Sequence, residues 1–191
     1  MNLLKNIMNG KVILDLGCDQ KVLKSISRRY IGIDIYGNPD ILANLENGIP
    51  LKNKSVDMVI AMNVLEHLEN IHYLFDEMCR VSKEYIVIGL PNMYEWRFRL
   101  MYLLGKRISG KYGLPLDPPT DRHRWLFSLD EARKFVHYKA EKNGFSVMEE
   151  IYPYYKYKNP LAKLVTWLGK KMGKRGLGLF AYSYWVVLKR K

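Results

Sequence analysis

Two short runs carry residues able to hold a ribose-bearing ligand. Val12 to Gln20, VILDLGCDQ, is an apolar strand leading into a turn with Gly17, and Tyr30 to Ile35, YIGIDI, is a second strand ending at Asp34, nineteen positions after Asp15. In a βαβ unit the first turn brings ligand close to the backbone, and the acid after the second strand accepts hydrogen bonds from ribose hydroxyls. Gly17 is followed by Cys18, Asp19, Gln20 and Lys21, so G-x-G-x-x-G is missing. That argues against a nicotinamide-dependent oxidoreductase. Two histidines could do acid–base work: His67, just past the run Val56 to Met62, and His123, in Asp121-Arg122-His123-Arg124-Trp125. The plainer alternatives are a helix-start histidine satisfied by backbone and a solvated charged loop.

These residues need a scaffold. The pattern predicts strands at Val12 to Leu16, Tyr30 to Ile35, about Asp40 to Ala43, Val56 to Met62 and Tyr85 to Leu90, with helices from about Lys21 to Arg29 and Asn70 to Ser82 between them. Strands alternating with helices imply a mostly parallel sheet covered on both faces. Tyr94 to Ile108, apolar on most sides, reads as a helix covering something, and KYGLPLDPPTDRHRW follows as a loop. Ser128 and Glu131 form a capping-box pattern for a helix ending at Gly144. Phe145 to Ile151 and Ala181 to Leu188 read as a late pair of strands with an antiparallel connection. The fold class is therefore α/β: a seven-stranded, mostly parallel Rossmann-like sheet with helices on both faces and an antiparallel last strand.

A length of 191 residues suits one domain. The net charge of +12 is unevenly placed: residues 1–92 hold ten Lys/Arg against eleven Asp/Glu, and the last 39 residues hold ten bases and no acid. Nucleic-acid binding thus has support only at the C-terminal end. Cys18 and Cys79 form neither a disulfide framework nor a metal-type spacing, which favours a reducing cytoplasm and no zinc; no metal ligands are expected. No secretory leader or membrane-spanning run is expected. Asn159 to about residue 176 reads as a basic amphipathic helix, with Leu161, Leu164, Val165, Leu168 and Met172 on one face and Lys163, Lys170, Lys171 and Lys174 elsewhere. It could lie on an anionic membrane surface, or its apolar face could pack on the domain.

LDLGC at Leu14 to Cys18, GIDI at Gly32 to Ile35, NGIPLKNKSVDMVIAMNVLEHL at Asn47 to Leu68 and YIVIGLPN at Tyr85 to Asn92 resemble the class I, Rossmann-like S-adenosylmethionine-dependent methyltransferases, small-molecule branch. HRWLFSLDEARKF, His123 to Phe135, resembles a segment that some of them place before their last helix. The resemblance implies a single methyltransferase-like domain over 1–191, with an inserted helix and loop at about 93–127 and the basic segment at about 159–176. It implies S-adenosylmethionine as cofactor and a small-molecule methyl acceptor; the basic amphipathic helix could bring the chain to a lipid-linked one. Gly17 and Cys18 would lie by the methionine portion, Asp15 would organise that pocket, and Asp34 with Ile35 would meet the ribose. Asn44 and Leu45 would line the adenine, Asn63 would sit beneath the methionyl group, and His67 and His123 would serve the acceptor.

Asp19 and Lys21 stand where the family commonly has glycines. Either the loop closes differently, with Asp19 turned outward and Lys21 near the cofactor carboxylate, or the cofactor site has decayed and the fold serves binding. An RNA methyltransferase using the basic end is the other alternative, although Ala61-Met62-Asn63-Val64 occupies the place where amino-methylating enzymes carry an Asn/Asp-Pro-Pro-aromatic run.

Overall fold

The computed structural model describes residues 7–19, 23, 24, 27, 29–108, 111–119, 121–155 and 158–191, apart from the side chains of 161, 162, 174 and 175. Seven strands, β1 (Val12–Leu16), β2 (Arg29–Asp34), β3 (Ile41–Leu42), β4 (Val56–Met62), β5 (Ser82–Pro91), β6 (Phe145–Ile151) and β7 (Ser183–Arg190), form one sheet in the order β3-β2-β1-β4-β5-β7-β6. The first five are parallel, and β7 runs antiparallel to both β5 and β6. The expected architecture is present, with the antiparallel strand inserted one place in from the edge.

Alternation within the strands explains why the sheet is covered on both sides. Leu14, Leu16, Val59, Ala61, Ile86, Ile88, Val186 and Leu188 enter one core, whereas Ile13, Met58, Ile60, Tyr85, Val87 and Val187 enter another. The first core is closed by α1 (Ile71–Val81), which buries Leu74, Phe75 and Met78 completely, and by α3 (Leu129–Lys142). The second is covered by Ile7 and Met8, with Leu23 packed against it. Most of the expected helix from Lys21 lies outside the described residues; Arg29 already belongs to β2.

Local signals set the helix ends. The Asn70 side chain accepts from the Tyr73 N–H to start α1, and both hydrogen bonds of the Ser128/Glu131 capping box start α3. The expected helix over 94–108 is shorter: α2 spans Trp96–Leu103 and stops before Gly105, whose φ of 65° is a left-handed value that suits glycine. The basic segment divides into α4 (Pro160–Lys171) and α5 (Lys174–Phe180), separated at Gly173, also left-handed. Their contact is made through small residues: a Cβ on Gly169 would lie 2.1 Å from the Phe180 ring, and one on Gly176 would lie 1.8 Å from the Gly169 carbonyl oxygen. The apolar face of α4 is consequently left out of the core, with Leu164, Trp167, Leu168 and Met172 about half exposed.

Glu150 ties α3 to the last strands. Its carboxylate accepts from His137 Nε2 at 2.8 Å, Arg133 Nε at 3.0 Å, and the Tyr184 and Tyr152 hydroxyls at 2.7 and 3.1 Å. Burial pushes this carboxyl upward, but these hydrogen bonds outweigh it and hold it at about 2. A depressed carboxylate contributes stability above its ordinary value of 4.5 and loses it as pH falls toward 2. We predict that Glu150→Gln lowers unfolding free energy at neutral pH by roughly 1–2 kcal/mol, allowing for solvent screening, and that wild type and variant converge only as pH falls to about 2, as measured by urea unfolding.

Candidate active site

The carboxyl ends of β3, β2, β1 and β4 are neighbours, and strand order reverses between β1 and β4. An open α/β sheet binds ligand at such a crevice. Gly17, directly after β1, has φ 65°, and a Cβ there would lie 2.6 Å from Val64 Cγ2. Glycine is therefore required both by conformation and by the approach of the turn after β4. Its N–H donates to the Ile33 carbonyl at 2.9 Å, and the Cys18 N–H shares that acceptor at 3.3 Å.

Asp34 closes β2 and organises the same turn. One oxygen accepts from the Ile35 and Tyr36 N–H groups at 2.7 and 3.3 Å, and the other from the Asp19 N–H at 2.9 Å. A carboxylate has about four acceptor positions, so roughly one remains for a ligand. Asp19 is exposed in a left-handed conformation, φ 37°; Gln20 and Lys21 lie outside the described residues. Asp15 is buried and accepts from the Tyr30 hydroxyl at 2.7 Å; burial raises its carboxyl to about 6, against the pull of that hydrogen bond. Ile35 is exposed, Leu45 is buried, and the Asn44 side chain caps the 3-10 turn Leu45–Asn47 by accepting from the Glu46 N–H at 3.0 Å. Asn63 is exposed with φ 56°, a conformation that asparagine tolerates.

The residues after Val64 form the 3-10 turn Leu65–His67, and the 121–125 loop is fastened onto it. The Glu66 carbonyl accepts from the Arg124 and Trp125 N–H groups at 2.8 and 3.4 Å, the His67 carbonyl from Arg124 Nε at 3.0 Å, and the Leu68 carbonyl from Trp125 Nε1 at 2.7 Å. This brings His67 and His123 together, with ring centroids 4.5 Å apart. Asp121 Oδ1 lies 2.5 Å from His67 Nδ1, and Lys111 Nζ lies 2.5 Å from its other oxygen. Burial lowers both imidazoles, His123 to about 4, and raises Glu66 to about 7. The loop walls a groove of about 680 Å³ whose lining includes Tyr112, Leu114, Leu116, Arg122 and His123.

Glu66 and Tyr112 were not singled out from sequence. A Glu beside a His in a polar-looking turn reads as a surface acid; its position directly after buried Leu65, in the turn leaving a central strand, is the signal that could have marked it.

Residues 14–85 match the family model described as a methyltransferase domain. The chain thus carries a methyltransferase-domain match over its N-terminal part, on a Rossmann-like α/β sheet. Among solved structures, it is similar to a SAM-dependent methyltransferase from Archaeoglobus fulgidus (19% identity, TM-score 0.61, covering 99% of this chain and 94% of that one). It is also similar to one from Methanosarcina mazei (13%, 0.62, 100% and 97%) and to magnesium protoporphyrin IX methyltransferase from Synechocystis PCC 6803, solved with bound SAH (16%, 0.61, 99% and 78%). At these identities the likeness establishes the fold. No curated protein matches the chain in sequence.

We predict that Gly17→Ala destabilises the protein by about 1–3 kcal/mol, through the left-handed backbone and the Val64 contact together, as read by thermal unfolding. An unchanged melting temperature would show that the turn is not held against Val64.

Proposed function

We propose that the protein transfers a methyl group from S-adenosylmethionine to an amphipathic small-molecule or lipid-linked acceptor bound beside the 111–126 loop. One observation carries this reading: Gly17 packs directly on Val64, and the next residues of that turn carry Glu66 and His67 to His123. The cofactor edge and the histidine cluster thus share one turn.

The residues present fit the cofactor. Asp34 keeps acceptor capacity for a ribose hydroxyl, exposed Ile35 and buried Leu45 offer apolar surface to the adenine, and the turn at Gly17 lacks a side chain. Because the Gly17 and Cys18 N–H groups are committed to Ile33, the carbonyl side of this turn would meet the methionyl ammonium. Asp15 would hold the turn from below through Tyr30, and Asn63 would stand beneath the methionyl group. Asn44 would contribute at the adenine only through the second lone pair of its capping carbonyl.

S-adenosylmethionine supplies an electrophilic methyl on a good leaving group; the chain must align the acceptor and exclude water. His67 and His123, both lowered by burial, are suited to receive a proton from the acceptor at neutral pH. Leu114 and Leu116, fully exposed, and the cations Arg122 and Arg124 give the loop groove an amphipathic lining. The half-exposed face of α4, flanked by Lys163, Lys170 and Lys171, suits an anionic lipid surface. Among the described residues no helix is long and apolar enough to cross a membrane.

Calorimetric titration with S-adenosylhomocysteine tests the cofactor half: Asp34→Ala is expected to weaken binding at least ~10-fold, the loss of one charge-assisted hydrogen bond. Undiminished binding would remove Asp34 from the site. Flotation with phosphatidylglycerol vesicles tests the lipid half. Because Leu164 and Leu168 are outside the core, the double change to Asp should abolish association while preserving the melting temperature; retained association would contradict the lipid-facing role.

A further inference from the structure

Glu66 is a buried acid in the turn after β4. Its relative exposure is 1%, and neither carboxylate oxygen has a hydrogen-bond partner. An uncompensated carboxylate is strongly disfavoured away from water. Its Oε1 lies 4.0 Å from His67 Nε2, beyond hydrogen-bond reach. One ligand-type atom each from Glu66, His67 and His123 fall within 4.8 Å of one another.

We propose that Glu66, His67 and His123 bind a divalent transition-metal ion of the zinc or cobalt type. The supporting contacts have the arrangement that orients metal-binding histidines. Asp121 stands at His67 Nδ1, directing Nε2 toward Glu66, and Lys111 steadies that carboxylate. His123 Nδ1 lies 2.9 Å from the Tyr112 hydroxyl, which donates its single proton to the Trp125 carbonyl at 2.7 Å. In this network His123 Nδ1 is the donor, and its Nε2 keeps the lone pair needed for coordination. Two imidazoles and one carboxylate select a first-row transition ion over magnesium or calcium, which favour all-oxygen sites. Bonds of ~2.0–2.2 Å require the ligand atoms to draw in by roughly 1 Å, a side-chain adjustment.

Three protein ligands leave a coordination position open. On the methyl-transfer reading, on which this step alone rests, an acceptor hydroxyl bound there loses its proton to solvent, a route that in the metal-loaded protein replaces direct proton transfer to the then-coordinated His67 and His123. Its oxygen pair then forms the bond to the methyl carbon as the carbon–sulfur bond breaks, and sulfur retains that pair as a neutral thioether.

The test is titration of chelator-treated full-length protein with Co²⁺, followed by visible absorption, and with Zn²⁺, followed by calorimetry. S-adenosylhomocysteine is titrated in parallel, so failure of the metal site is distinguishable from failure of the cofactor site. The expected result is one equivalent per chain, a loss of at least ~100-fold in affinity for His123→Ala and ~10-fold for Tyr112→Phe, and unchanged binding for His72→Ala, whose ring packs edge-on against Phe135. Tyr112→Phe keeps the test decisive if His123→Ala does not fold. Absence of metal uptake by wild type, full affinity in folded His123→Ala or Tyr112→Phe, or an equal loss in His72→Ala would overturn the proposal.

Discussion

The packing of the turn after β4 governs the rest of the candidate site. Val64 presses on Gly17, so the first turn can approach only because position 17 lacks a side chain. Immediately afterward, the carbonyls of Glu66, His67 and Leu68 take four donors from Arg124 and Trp125. One five-residue stretch therefore fixes the Gly17 turn on one side and the loop with His123 on the other. The parallel strands supply the rigid base for this: β4 lies between β1 and β5, with both faces buried, and its end has little freedom to move.

The same arrangement explains the polar chemistry of the site. Main-chain and side-chain donors of Arg124 and Trp125 satisfy the turn's carbonyls, while the side chain of Glu66 enters the interior without a hydrogen-bond partner. The desolvation that raises Glu66 also lowers His67 and His123, leaving uncharged imidazoles beside a carboxyl shielded from water. Groups of this kind can move protons or hold an ion. A well-solvated loop of the same composition would do neither efficiently.

Much of the sheet was legible because buried parallel strands are largely apolar runs: Val12 to Leu16 and Val56 to Met62 carry the boundaries read from sequence. Helix α3 was legible through its capping box. The extent of α2 was not, since apolar residues continue past the point where Gly105 ends the helix. For α4 the apolar stripe was visible but its burial was not, because the contact with α5 is set by Gly169 and Gly176 rather than by the leucines. His67 and His123 were each recognisable as chemical residues, yet their meeting depends on hydrogen bonds between segments far apart in the chain. Asp34 was recognisable too; its commitment to the N–H groups of Asp19, Ile35 and Tyr36 required the folded turn.

On the proposed function the glycine-poor first turn is a working part of the site: Asp34 closes it by holding the Asp19 N–H, and Asp19 is exposed. A crystal structure of the protein with S-adenosylhomocysteine tests this most directly. The account predicts the ribose at Asp34, the adenine beside Ile35 and Leu45, and the sulfur directed toward the turn that carries Glu66 and His67. Product bound elsewhere, or a first turn that must release Asp34 and collapse across the crevice, would contradict it.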